Sequence, residues 1–265
     1  MSRNSISPRT DGKKVHIDPN LESFKSTHAY SFADLVYENI LNDTDVDIEY
    51  LKMFCFEDFK KRASKPKKYT LLHETIEGII FFYLDYSTRK FPDSETPYYQ
   101  SILTEAEIKI PRWLTPDSVR KHTRQLDRLL ERAIGEITPS IFYLLFSDRK
   151  FLALFQTRMA RLVSQLKHTD HPDLLAADGI LKRPKYLPTW LKAGVFHRDR
   201  GRCQHCWRDL TGVIAPVTDR HLDHIIPLAE SGTNDPTNFQ LSCQSCNLKK
   251  GKKIISTSHK YTPFW

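Results

Sequence analysis

Apolar residues recur three and four positions apart along most of the first 166 residues, the period of helices that each bury one face. Phe32, Leu35, Val36, Ile40 and Leu41 outline a first helix, with Ser31–Asp34 resembling a capping box at its start. Ile48, Leu51, Met53, Phe54 and Phe59 outline a second over about residues 47–62, closed by the basic turn Ser64-Lys65-Pro66-Lys67-Lys68. A third opens at Thr70 and runs through Leu84. With Phe81, Phe82, Tyr83 and Tyr86 it is apolar nearly all round, which predicts a central place in a bundle. Residues 88–114 carry Pro92, Pro97 and Pro111 and read as a long connection with one short helix around Thr104–Glu107. Thr115-Pro116 predicts the start of a long helix with Val119, Leu126, Leu130, Ala133 and Ile137 inward. Pro139 is expected to break it, and Ser140 to about Leu166 to form the next.

Beyond residue 166 the pattern changes. Pro172, Pro184, Pro188 and the run Lys182-Arg183-Pro184-Lys185-Tyr186 predict a linker over 171–188. A short helix from Thr189 to about Arg198 then leads into a segment of alternating and turn-rich composition. The expected class is mainly α: a disordered or loosely attached stretch at 1–27, an α-helical bundle over 28–170, and a small α+β unit over 189–265.

That last unit carries the candidate chemistry. Cys203 and Cys206 form one Cys-x-x-Cys pair, and Cys243 and Cys246 a second. Four thiolates from two such turns complete a tetrahedral shell around a structural Zn2+. Disulfides would need an oxidising compartment, and the polar N-terminus has no secretory signal. Cys55, between Phe54 and Phe56, reads as a small buried hydrophobe. Asp223, His224, Asn238 and Asn247 lie between and beside the cysteine pairs. A carboxylate and an amide oxygen suit Mg2+ or Mn2+, and an imidazole beside them suits a general base. Asn247 follows Cys246 directly, so a folded zinc knuckle would also fix that amide. His221, two positions from Asp223, and His205, inside the first knuckle, are weaker candidates; His73, Glu74 and Glu77 share a helical face but lack any further ligand motif.

Charge sharpens the picture. The chain has a formal net charge of +8, of which +5 falls on residues 191–265 and +3 on the rest. A basic surface beside a metal site suits a polyanion, whose condensed counterions are released on binding. No apolar stretch approaches the roughly 20 residues that span a bilayer, so a soluble, cytoplasmic protein without membrane contact is expected.

Cys203-x-x-Cys206, Leu222-Asp223-His224-Ile225-Ile226-Pro227-Leu228, Asn238-Phe239-Gln240-Leu241 and Cys243-x-x-Cys246-Asn247-x-x-Lys250-Gly251 together resemble the HNH endonucleases of the zinc-containing, McrA-like kind. The resemblance covers about the last 70 residues. It implies a ββα-metal fold and hydrolysis of phosphodiester bonds, in DNA rather than RNA. It also implies roles: His224 activates water, Asp223 and Asn247 bind the catalytic divalent ion, and Asn238 holds the loop and orients His224. A restriction or anti-phage defence effector is the biological setting it suggests. The helical bundle would then target, sense or dock, through a protein partner or a second copy of the chain. The alternative is a zinc-ribbon nucleic-acid-binding module without catalysis, regulated by docking through the bundle.

Overall fold

The computed structural model describes residues 24–42, 59–91, 94–213, 220–255 and 257. Of the loosely attached stretch expected at 1–27, residues 1–23 lie outside these residues, as do most of the second expected helix and Cys55, while 26–27 already belong to the first helix.

Helix α1 (Ser26–Leu41) starts five residues before the expected box, so Ser31–Asp34 lies inside it. Its first-turn donors are met from far along the chain. The Thr27 and His28 N–H groups donate to the Glu105 carboxylate at 2.7 and 2.9 Å, and the Lys25 N–H donates to Ser140 Oγ at 2.8 Å. A carboxylate at a helix N-terminus also complements the helix dipole. Helix α2 (Phe59–Ser64) is short, and α3 (Leu71–Lys90) begins as expected. The Thr70 hydroxyl accepts the His73 N–H while His73 Nδ1 accepts the Thr70 N–H at 3.1 Å, a reciprocal cap. His73, Glu74 and Glu77 are thus spent on structure: Glu74 pairs with Arg62, and Glu77 accepts from the Tyr69 hydroxyl.

The connection expected over 88–114 contains a ten-residue helix, α4 (Thr96–Glu105), with Pro97 in its first turn and Tyr99, Ile102 and Leu103 buried. Thr115-Pro116 opens only a short 3-10 helix, Pro116–Lys121, and the long helix α5 (Thr123–Ser147) begins after it. Pro139 does not break α5. The carbonyl it deprives of a partner belongs to Gly135, which is exposed to water and has no side chain to crowd the ring. The break falls at Asp148, whose carboxylate caps α6 (Arg149–Ser164) through the Lys150 and Phe151 N–H groups at 2.8 and 3.1 Å. These helices share one apolar core in which Phe32, Tyr99, Phe151 and Phe155 are fully enclosed, each contributing roughly 1.5–3 kcal/mol by burial.

Residues 171–188 carry an antiparallel hairpin, β1 (Leu175–Ala177) and β2 (Ile180–Leu181), turned at Gly179 with φ of 65°. Leu175 and Leu181 enter the bundle core. Helix α7 (Thr189–Arg198) follows, then β3 (Arg220–His224), β4 (Phe239–Cys243) and α8 (Gln244–Lys250). Strands β3 and β4 pair antiparallel, Asp223 opposite Gln240 and His224 opposite Phe239. The order strand, strand, helix is the ββα arrangement, and the described chain is mostly helical with a small β region near its C-terminal end. Leu191, Val195, Phe239 and Leu241 form a second apolar cluster around Cys203 and Cys243, whereas Ile225 and Ile226 belong to the bundle core.

Candidate functional site

The four Sγ atoms of Cys203, Cys206, Cys243 and Cys246 lie within 4.8 Å of one another. Zinc–sulfur bonds of about 2.3 Å in a tetrahedron separate the sulfurs by about 3.8 Å. Cys206 and Cys243 are 3.7 Å apart, so the donor set and its spacing fit a zinc ion. The first knuckle is closed by Trp207 N–H donating to the Cys203 carbonyl at 2.9 Å and is pinned to β4 by Gln204 N–H on the Leu241 carbonyl at 2.9 Å. Cys243 and Cys246 flank the start of α8. Burial pushes the Cys206 and Cys246 thiols up, while Cys243, against the same burial, is drawn down to about 6 by the Ser245 hydroxyl and the Cys246 N–H.

Asp223 projects from β3 toward α8 and the knuckle. Its Oδ2 accepts from Lys250 Nζ at 2.8 Å and Gln240 Nε2 at 3.0 Å, and lies 3.3 Å from His205 Nε2. Burial works to raise this carboxyl, but His205, Lys250 and Gln240 together hold it below the usual range. Its Oδ1 makes no hydrogen bond among the described residues. The same holds for the half-buried amide of Asn247 on α8, so both expected ligand groups keep an oxygen for a hard cation. Lys250 also donates to the His224 carbonyl and is only 1 % exposed, a buried ammonium that ties the end of α8 to the strand.

The neighbouring side chain goes the other way, as strand alternation requires. His224 is 6 % exposed, its ring 4.4 Å from that of Phe239, and Nε2 lies 3.1 Å from Asn234 Oδ1. Burial lowers it to about 4 despite that hydrogen bond, so the ring is neutral at pH 7. Asn238 secures the loop between the strands: Nδ2 donates to the Ile226 and Thr233 carbonyls at 2.9 and 2.8 Å, and Oδ1 accepts the Ile226 N–H at 2.9 Å. The loop has no room to spare at Gly232, where a Cβ would meet the Ile226 carbonyl oxygen at 1.9 Å. The side chain bonded to the His224 ring is Asn234, not Asn238.

Sequence reasoning therefore named the four cysteines, Asp223 and His224, which the fold gathers into one small unit. Asn234, Gln240 and Lys250 are partners of the site that the motifs do not single out, and His205, a weaker candidate by sequence, meets Asp223. Lys250 carried a signal, since it falls within the Asn247-x-x-Lys250-Gly251 run. Asn234 sits in a turn-rich stretch that gave no sign of a contact with His224. His221 is half-buried on β3 and makes no hydrogen bond to Asp223 among the described residues.

Residues 203–253 match the family model of HNH endonuclease, a stretch that holds every one of these residues. Comparisons with curated proteins and with solved structures gave no match. No described helix is long and apolar enough to cross a membrane.

Proposed function

We propose that the chain is a metal-dependent endonuclease that hydrolyses phosphodiester bonds in DNA. The observation that carries this reading is the join of Asp223 and His224 at one strand end to a four-cysteine cluster, within the stretch that matches the HNH endonuclease family. His224, neutral at pH 7, takes a proton from water as the water oxygen bonds to phosphorus, and the bond to the leaving oxygen breaks. Asp223 and Asn247 hold a divalent ion, Mg2+ or Mn2+. That ion supplies stabilisation of negative charge on the phosphate and leaving oxygen. Zinc on Cys203, Cys206, Cys243 and Cys246 keeps the knuckle and the start of α8 in place and takes no part in the reaction. Asn238 holds the 226–233 loop, and the excess of lysine and arginine in residues 191–265 favours a polyanion. A restriction or anti-phage role for the whole protein, with the bundle as its targeting or docking part, is the setting we favour.

The test is incubation of the full chain with supercoiled plasmid and Mg2+ or Mn2+, beside His224→Ala and a chelator control. Nicking or linearisation by the wild type is expected, with a loss of about 100-fold or more in His224→Ala, the usual weight of a general base. Equal cleavage by both proteins removes His224 from the reaction. An inert wild type that still holds zinc favours the binding-module alternative.

A further inference from the structure

Asn234 is fully buried where three parts of the chain meet. Its backbone N–H donates to the Ala63 carbonyl at 2.7 Å. Its side-chain Nδ2 donates to the Ser64 carbonyl at 3.1 Å and to the Lys182 carbonyl at 2.9 Å. Ala63 and Ser64 end α2, where carbonyls have no partner within the helix, and Lys182 follows β2. The remaining atom, Oδ1, faces His224 Nε2 at 3.1 Å.

This geometry leaves the amide one orientation. Carbonyl oxygens only accept, so both hydrogens of Nδ2 are committed to Ser64 and Lys182, and the oxygen is turned to the imidazole. An amide oxygen only accepts as well, so the hydrogen in that contact belongs to Nε2. A neutral ring with hydrogen on Nε2 has its lone pair on Nδ1, and Nδ1 makes no hydrogen bond among the described residues.

We infer that Asn234 is a positioning residue for the hydrolysis: it holds His224 in the Nε2–H form, leaves Nδ1 as the atom that takes the proton, and ties that choice to the seating of the bundle and hairpin. The inference rests on the nuclease reading for its catalytic consequence, but the state of the ring does not. The bundle is on this view part of the site's frame, because the carbonyl of Ser64 sets which way the amide faces.

The test uses the zinc-loaded full chain labelled with 15N. Two-bond 1H–15N correlation spectra near neutral pH report which ring nitrogen of each histidine carries hydrogen, and His224→Gln identifies the His224 signals. The wild type is expected to show hydrogen on Nε2 alone. Hydrogen on Nδ1 overturns the inference, whatever the enzyme does to DNA. Asn234→Leu, similar in volume and without an acceptor, is expected to give a mixture of both forms. It is also expected to lower kcat for plasmid cleavage about 10- to 100-fold with KM within about twofold, by analogy with the cost of losing a partner that orients a metal-ligating histidine. A merely structural Asn234 would lower the melting temperature and leave the ring in its wild-type form, which sinks the proposal. If Asn234→Leu fails to fold, the wild-type spectrum still decides. If the wild type cleaves nothing, the nuclease reading falls and the spectrum alone decides the positioning.

Discussion

The Asp235 carboxylate accepts the Leu71 backbone N–H at 2.8 Å across 164 positions of sequence, so a residue of the interstrand loop completes the N-terminal cap of a bundle helix. The contact is fully buried and has company. Gln156 of α6 donates to the Thr237 hydroxyl at 2.6 Å and accepts from the Thr233 hydroxyl at 2.8 Å. Asp199, at the end of α7, accepts the Leu241 N–H at 2.7 Å and lies 3.7 Å from an Arg149 nitrogen on α6. The loop that carries Asn234 and Asn238 is therefore anchored on the bundle by buried polar bonds, whose loss is costly because the partners have no water to turn to.

Asp235→Ala removes a cap and strands the Leu71 and Thr237 N–H groups. A loss of about 2–4 kcal/mol is expected from these together, or on the order of 5–10 °C in melting temperature. Calorimetry should show a single transition that shifts as a whole, because the same loop serves both parts. Two separated transitions in the wild type, or a shift of less than about one degree, would show that the loop does not couple them.

The features legible in the sequence are those whose cause is local. Thr70 and His73 cap α3 from within four residues, and the two Cys-x-x-Cys turns declare their ligands by spacing. The start of α1 was illegible because its cap is Glu105, 78 positions from Thr27. The place of Pro139 inside α5 is not legible locally, because its tolerance depends on the exposure of Gly135 rather than on the proline. At the site, Asp223 and His224 were readable as a pair, but their partners Gln240, His205 and Asn234 arrive through strand pairing, the knuckle and a tertiary loop contact. Period-two and period-3.6 patterns carry no record of such meetings.

Zinc should be recovered at one ion per chain by elemental analysis. Cys246→Ser, or a strong chelator, removes the link between the knuckle and α8. Because the binding free energy of a structural zinc is folding free energy, the melting temperature is expected to fall by about 10 °C or more. Unchanged stability in a zinc-free protein would mean that the four thiols are only neighbours.

Lys250→Met leaves the Asp223 carboxylate buried with its closest partner gone. Removing one member of a buried ion pair costs about 3–5 kcal/mol. If Asp223 is also a ligand of the divalent ion, Mg2+ then becomes the replacement cation, and it should raise the melting temperature of Lys250→Met more than that of the wild type. Equal Mg2+ effects on both proteins would separate Asp223 from the metal site.

Acid should destabilise the protein in a window set by its buried histidines. Burial, with help from Arg62, lowers His73 to about 4, against about 6.5 in an unfolded chain. The unfolded state therefore takes up the proton first. The contribution of His73 is complete above pH 6.5 and is lost as pH falls from there to about 4, up to on the order of 3 kcal/mol. The structural cause is visible: His73 Nδ1 accepts the Thr70 N–H, and a proton on that nitrogen would set two donors against each other while the ring is stacked 4.0 Å from Phe142. His224, also lowered to about 4 by burial, adds a second loss of the same sign. His73→Gln keeps a capping-box residue at the third helical position but has nothing to titrate. Its melting temperature is expected to fall less steeply between pH 6.5 and 4 than that of the wild type, with His224 and the carboxylates accounting for what remains. Parallel curves for the two proteins would mean that His73 takes up its proton without loosening the start of α3.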